Sequence, residues 1–304
     1  MPVETKRGLF SKLAARMSRY SSRSIHVPGE EEKAGFLKAQ RLAYQCVTEV
    51  EKEMREGWTE IQTARLMKTF LRDHGVKVFL HRPFAWFGEH ARFDGYRRFT
   101  QFHPGKKVLR ADEPYILDVS PVVDGYIGDI GYSSSLQKSP ALDEGMQYLL
   151  KLRAEIPGYF MSSMSSSEIW WKIDSDAKAH GFDNVHSLYP FAVLGHRVYK
   201  MHLPNTSFPM IPVSFASWFS LQAQFEFLSH KIMPELLTPD HEGNKIGVWA
   251  IEPHFGKGKA GFKFEEILVV EPDRAYWLDD EVPHVKRARG FAQPNGQPVA
   301  VGAA

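Results

Sequence analysis

Four acidic residues and one histidine sit where a soluble chain would rarely place them without a use. Asp118 falls inside the apolar run Tyr115-Ile116-Leu117-Asp118-Val119-Ser120, and Asp129 inside Tyr126-Ile127-Gly128-Asp129-Ile130-Gly131-Tyr132. Aspartate is depleted in strands, and two facing carboxylates repel unless something positive lies between them. The second half of the chain repeats the design. Val248-Trp249-Ala250-Ile251 runs up to Glu252, and Phe262-Lys263-Phe264 runs up to Glu265-Glu266, with Gly256 to Gly261 between. Neighbours on a strand face opposite sides, so residue types alone leave open whether Glu265 or Glu266 faces inward. Four carboxylates converging from two hairpins could hold two divalent cations. His196, in Leu194-Gly195-His196 after the apolar run Tyr189 to Val193, would add a nitrogen donor, and Gly195 would allow close backbone or ligand approach.

The elements that must position these groups also come in pairs. Asp124-Gly125 is a strong hairpin-turn signal and brings Asp118 and Asp129 onto neighbouring strands. Before the first hairpin, a helical pattern over Glu31–Met54 stops at Gly57, and Thr59-Glu60 starts a second helix that ends at His74-Gly75. Before the second hairpin, Leu142–Ile156 is helical up to Pro157-Gly158. Ser166-Ser167-Glu168 then starts a helix ending at His180-Gly181. Two helices followed by strands, given twice, predict a pseudo-symmetric α+β domain. We expect a basic arm over 1–30, a catalytic domain over 31–285 with halves at about 31–135 and 142–280, and a flexible tail over 286–304.

Composition excludes several classes. The 304 residues carry 43% hydrophobic and 24% charged residues and a net charge of +2, which suits a soluble enzyme and gives no electrostatic case for nucleic acid. No apolar run approaches the roughly 18 residues that span a bilayer, and the start lacks a signal peptide's apolar stretch, so we expect no membrane partner and a cytoplasmic location. The single cysteine, Cys46, reads as a small buried apolar residue. The arm's Lys6, Arg7, Lys12, Arg16, Arg19 and Arg23 read as a solvated segment or an oligomer contact, and a homodimer is left open.

The ordered set Asp118, Asp129 eleven residues on, Gly195-His196, Ile251-Glu252-Pro253 and Glu265 in Phe264-Glu265-Glu266-Ile267-Leu268 resembles the pita-bread metallopeptidase family. That family comprises methionine aminopeptidases, Xaa-Pro aminopeptidases, prolidases and creatinase relatives. The resemblance covers roughly Glu31 to Leu278. It implies a curved, mainly antiparallel sheet with helices on its outer face, and its register favours Glu265 over Glu266. It implies that Asp118 binds one metal and His196 the other, that Asp129 and Glu265 bridge them, and that Glu252 binds the His196 side and shuttles a proton. A water or hydroxide would lie between the metals. The oxygen-rich donor set favours Mn, Fe or Co over a thiolate-type zinc site. Two further histidines would position substrate: His103 or its rival His90, and His202.

Departures surround this set. Arg197 follows His196, His254 follows Pro253, and Ile130-Gly131-Tyr132 follows Asp129 where the family has Thr-Arg-Thr. The stretch between His196 and Glu252 is long and aromatic, with Phe208, Phe215, Trp218, Phe219, Phe225 and Phe227. We therefore expect a dinuclear hydrolase that removes an N-terminal residue, including before proline, from a small peptide. The alternative is a metalloenzyme of the same fold (a hydrolase, a lyase or an iron-dependent redox enzyme) acting on a small non-peptide molecule. A metal-free binding module ranks third, because none of the five ligands is lost.

Overall fold

The computed structural model describes residues 26–96, 98–201 and 236–291. Much of the arm, most of the aromatic stretch and the end of the tail fall outside the described residues, and with them His202.

Two helix pairs build the outer face. The first is α1 (Glu30–Glu53) and α2 (Glu60–Asp73); the second is α3 (Pro140–Met161) and α4 (Ser166–Ala179). Their shorter helices are made alike. Thr59 accepts from the Gln62 amide and Gln62 reaches back to the Thr59 amide; Ser165 and Glu168 do the same for α4. Such reciprocal caps satisfy amides that a helix start leaves unpaired. At the other ends, His74 and His180 each turn Nδ1 onto the carbonyl four residues back, and Gly75 and Gly181 follow at φ +84° and +78°.

Helix α3 does not stop at Pro157, as the sequence suggested, but runs through to Met161. Proline lacks the N–H that would bond the carbonyl of Arg153. The Trp277 indole donates to that carbonyl instead, at 2.8 Å, so the interruption leaves no buried acceptor unpaired.

Among the described residues fourteen strands form four antiparallel groups. In the first half β3 (Tyr115–Val119) lies between β2 (Phe84–Phe87) and β6 (Ile130–Ser134), while β4 (Pro121–Val123) lies between β1 (Val78–Phe79) and β5 (Tyr126–Ile127). In the second half, β10 (Gly247–Ile251) and β13 (Glu266–Val270) are flanked by β8 (Gly195–Arg197), β9 (Leu236–Leu237) and β14 (Ala275–Trp277). There β11 (His254–Lys257) pairs with β12 (Ala260–Lys263) and with β7 (Asp183–Asn184). The two halves meet where the backbones of Gly131 and Glu265 exchange hydrogen bonds at 3.1 and 3.4 Å. Each half has its own apolar core. One packs α1 and α2 on β3 and β6 through Val47, Met67, Leu117 and Tyr132; the other packs α3 and α4 on β10 and β12 through Leu149, Trp170, Trp249 and Phe262.

Two further local expectations change. Tyr189–Val193 is not a strand: it carries a short 3-10 turn with Phe191 and Ala192 at positive φ. At the chain's end a helix, α5 (Pro283–Phe291), continues past the expected domain edge at 285, anchored by buried His284 stacked on Phe264.

Candidate metal centre

Both hairpins are interrupted where their acids lie. The Asp124-Gly125 turn has φ of 52° and 88°, the two positive values a type I′ turn needs. Its register sets Asp118 opposite Gly131, not Asp129. Asp129 occupies the gap between β5 and β6, two residues from the position opposite Asp118 and near it across the ladder, as expected. In the second hairpin Glu252 fills the gap between β10 and β11, and Glu265 the gap between β12 and β13. Asp129 and Glu252 thus lie outside the ladders, while the Glu265 backbone pairs with Gly131 at the junction of the halves.

The result is a closed cluster. Asp118, Asp129, His196, Glu252 and Glu265 are all buried. His196 Nε2 lies 3.1 Å from Asp129 Oδ2 and 4.0 Å from Glu265 Oε1. Gly195 places this histidine: a Cβ there would stand 2.5 Å from the Ala250 carbonyl, so only glycine lets β8 lie this close to β10. Glu266 faces away, bonded to Arg153 by two contacts of 2.7 Å and to His284 by one of 2.7 Å. It is therefore Glu265, not Glu266, that joins the cluster.

Two residues that the sequence reading did not single out complete the surroundings. Lys263, 1% exposed, sets its ammonium 2.7 Å from Asp118 Oδ2, 3.1 Å from Glu252 Oε2 and 3.0 Å from Glu265 Oε2. Its signal was available, because residues two apart on a strand share a face and Lys263 precedes Glu265 by two. Gly131 makes the room: a Cβ there would fall 2.5 Å from Lys263 Cε and 3.2 Å from Glu265 Cβ. The Ile130-Gly131-Tyr132 departure is thus the one that reaches the cluster. The second residue is His81, whose Nε2 lies 3.0 Å from Asp129 Oδ1 and 3.2 Å from Asp118 Oδ1.

Electrostatics separate the groups. Burial alone would push Asp129 up, but the His81 and His196 imidazoles on either side hold it well below the usual carboxylate range. Burial raises Glu265 well above that range, and the Asp129 charge adds to it. Burial also raises Glu252, against the pull of Lys263 and His196. Burial disfavours charge on Lys263, yet Asp118 and Glu265 keep its pKa well above that of an ordinary lysine.

The neighbouring candidates sort themselves by contact. His90 is a strut: Nδ1 meets Glu60 Oε1 at 2.5 Å and Nε2 accompanies the Gln101 carbonyl at 2.8 Å. Glu60 itself is fully buried and also accepts from the amides of Phe87 and Gly105. His103 is closer to the cluster. Its ring stacks 6.1 Å from that of Phe84, which lies 5.3 Å from the His81 ring and pairs with Asp118. Burial and the Arg82 charge lower His103 to about 4, so it is neutral at pH 7. Arg197 does not stand beside the site as the sequence suggested. It bonds the carbonyls of Asn244 and Ile246 and lies over Trp249. His254 pairs instead with the Tyr189 hydroxyl at 3.0 Å, and the Tyr189 ring lies 5.6 Å from the Lys263 ammonium; burial and the Lys263 charge hold the His254 pKa well below the usual value. Cys46 is buried. Among the described residues no helix is long and apolar enough to cross a membrane.

The comparisons agree with this architecture. The model of metallopeptidase family M24 matches residues 34–272, and the chain belongs to that family. Its fold is the pita-bread fold, as the similar solved structures show. An X-Pro aminopeptidase from Thermotoga maritima matches with TM-score 0.60 and 15% identity over 86% of this chain and 64% of its own. A prolidase from Pyrococcus furiosus matches with TM-score 0.56 and 16% identity over 86% and 66%. The dipeptidase PepE from Mycobacterium ulcerans matches with TM-score 0.59 and 15% identity over 85% and 60%. This chain thus spans somewhat less than two thirds of each of these proteins. No curated protein matches it in sequence.

Proposed function

We propose that the chain is a two-metal hydrolase that removes the N-terminal residue of a short peptide, Xaa-Pro peptides included, with Asp118, Asp129, His196, Glu252 and Glu265 as the ligands. One observation carries this reading. Three buried carboxylates, Asp118, Glu252 and Glu265, share one buried ammonium, and Asp129, His196 and Glu265 offer donor atoms all within 4.8 Å of one another. Charge of that kind is not left uncompensated in a protein interior. The donor set fits: Asp118 Oδ1 is a buried oxygen with no hydrogen-bond partner, and imidazole with carboxylates suits Mn, Fe or Co.

Two divalent ions at this place would polarise the scissile carbonyl and bring the pKa of a shared water to about 7. The chain's own groups do the rest. Lys263 holds one oxygen of each of Asp118, Glu252 and Glu265 and leaves the partner oxygens for cations. Glu252, raised by burial, is suited to take a proton and return it to the departing amine. Neutral His103 can donate a hydrogen bond to the carbonyl oxygen as it gains charge. His202 is proposed as the second positioning histidine on the resemblance alone. The substrate partner is a small peptide, and we propose a cytoplasmic location.

A second reading keeps the centre and replaces the peptide with a small non-peptide molecule. Arg197 no longer supports it, since it is engaged with Asn244, Ile246 and Trp249, while the His254 ring meets the cluster through Tyr189. The Gly131–Lys263 arrangement does support it, because it changes the charge inside the cage itself. The deciding experiment is turnover of a panel of dipeptides, Xaa-Pro peptides and longer peptides by Mn-loaded protein, with chelated protein and Asp129→Ala as controls. Release of amino acid that both controls abolish supports the peptidase. A protein that retains metal and cleaves nothing across the panel refutes it in favour of the second reading. A protein that retains no metal refutes both.

A further inference from the structure

His81 is outside the five residues to which the proposed metal centre has been assigned. Its geometry nevertheless copies that of His196. Each is followed by arginine, Arg82 and Arg197, one such pair in each half of the chain. Each turns Nδ1 onto the carbonyl of that arginine, at 2.8 Å for His81 and 3.1 Å for His196. Each points Nε2 at one oxygen of Asp129: His81 at Oδ1, 3.0 Å away, and His196 at Oδ2, 3.1 Å away. A backbone carbonyl on one ring nitrogen fixes the tautomer and leaves the other nitrogen's lone pair for a metal.

We propose that His81 is a sixth protein ligand, so that each ion of the centre has its own imidazole: His81 with Asp118 and Asp129 on one side, His196 with Asp129 and Glu265 on the other. The inference rests on the two-metal reading above. Three observations on the His81 side carry it. His81, Asp118 and Asp129, all buried, offer ligand atoms within 4.8 Å of one another. Donors held at about 2.0–2.2 Å by one first-row ion stand about 3.0–3.5 Å apart, and His81 Nε2 lies 3.0 and 3.2 Å from its two carboxylate oxygens. Finally, an imidazole N–H can satisfy one of those oxygens but not both: Asp118 Oδ1 is left without a hydrogen bond, whereas a cation in that position would contact both. Lys263 does not compete for these atoms, since it holds Asp118 through Oδ2. The site this defines takes a divalent first-row transition metal with mixed nitrogen and oxygen donors, in place of the all-oxygen set that the family resemblance assigns to the Asp118 side.

The test is X-ray absorption and metal analysis of the full chain loaded with cobalt(II). The expected result is two cobalt ions per chain and an average of one imidazole per cobalt. In His81→Ala the ion on the Asp118 side should lose at least about 100-fold in affinity, judged against the 10–100-fold that loss of an outer partner alone costs, while the ion on the His196 side stays bound. His196→Ala should weaken the other ion. Two cobalt ions sharing a single imidazole, or His81→Ala keeping both ions at wild-type affinity, overturns the proposal and leaves the two-metal reading intact. One ion with one imidazole also overturns it, because the proposal requires two ions with an imidazole each. No bound cobalt removes the two-metal reading and this proposal together. Should His81→Ala not fold, the imidazole count on the wild-type protein decides.

Discussion

Replacing Lys263 with methionine is the sharpest test of how the cluster holds together without metal. Methionine keeps most of the apolar stem and deletes the ammonium that lies 2.7–3.1 Å from Asp118, Glu252 and Glu265. Removing one partner from a buried ion pair typically costs about 3–5 kcal/mol, because the remaining charge is stranded. At about 2–4 °C per kcal/mol for chains of 150–250 residues, the metal-free variant should melt on the order of 6–20 °C below wild type. The sign of the pH dependence follows from the shifts. Lys263 is raised in the folded state, so its contribution is fully present below the unfolded lysine value of about 10.4 and is lost only as pH rises through the higher folded value. Titration of Lys263 itself therefore adds no pH dependence between pH 5 and 9; what varies there is the charge on the glutamates it faces. Glu252 and Glu265 are also raised; for an acid, that means stability falls as pH climbs above the unfolded value of about 4.3. The deficit of Lys263→Met should thus be widest at pH 8 and shrink toward pH 5, where the two glutamates take up protons. Urea unfolding followed by circular dichroism in EDTA measures this directly. Saturating Mn(II) should then restore much of the loss, since a ligand at 1,000 times its Kd adds about 4.1 kcal/mol. A metal-free variant within about 1 kcal/mol of wild type at pH 8 would refute the view that this ammonium neutralises the cage.

Two other substitutions probe the supports. Gly131→Ala places a methyl group against Lys263 and Glu265 and should destabilise by about 1–3 kcal/mol through overpacking; denaturant titration should show less than additive loss when it is combined with Lys263→Ala. Arg153→Met takes both arginine bonds from buried Glu266 and leaves it His284 alone, and should cost about 1.5–3 kcal/mol. Because Glu266 faces away from the cluster, its metal content should stay at the wild-type level, and a parallel loss of metal would contradict that separation.

Several features were legible from residue types and spacing because they depend on local rules. The helix start at Thr59, a second one read at Ser166-Ser167-Glu168 and capped one residue earlier by Ser165, the glycine ends at Gly75 and Gly181, and the Asp124-Gly125 turn need only backbone preferences and short-range hydrogen bonds. Acids inside apolar runs marked both hairpins without knowledge of what they face. Family order then separated Glu265 from Glu266, which residue types had left open. Arg197 was misplaced needlessly, since a strand neighbour of His196 must face the other way. His254 was harder. The chain leaves the ladder at Glu252-Pro253, so counting by twos fails across that gap, and only the packed structure shows the ring against Tyr189. Pro157 looked like a stop because the indole that rescues the Arg153 carbonyl comes from Trp277, far along the chain.

The sequence by itself determined that two hairpins would each carry a pair of acids and that His196 belonged with them, since alternation, turn chemistry and ordered motifs are written along the chain. Only the tertiary structure decided what stands between those acids. His81 and Lys263 reach the cluster from a separate segment and through the space that Gly131 leaves open. Their roles depend on which atoms lie within about 3 Å in a dry interior, and separation along the chain does not encode that distance.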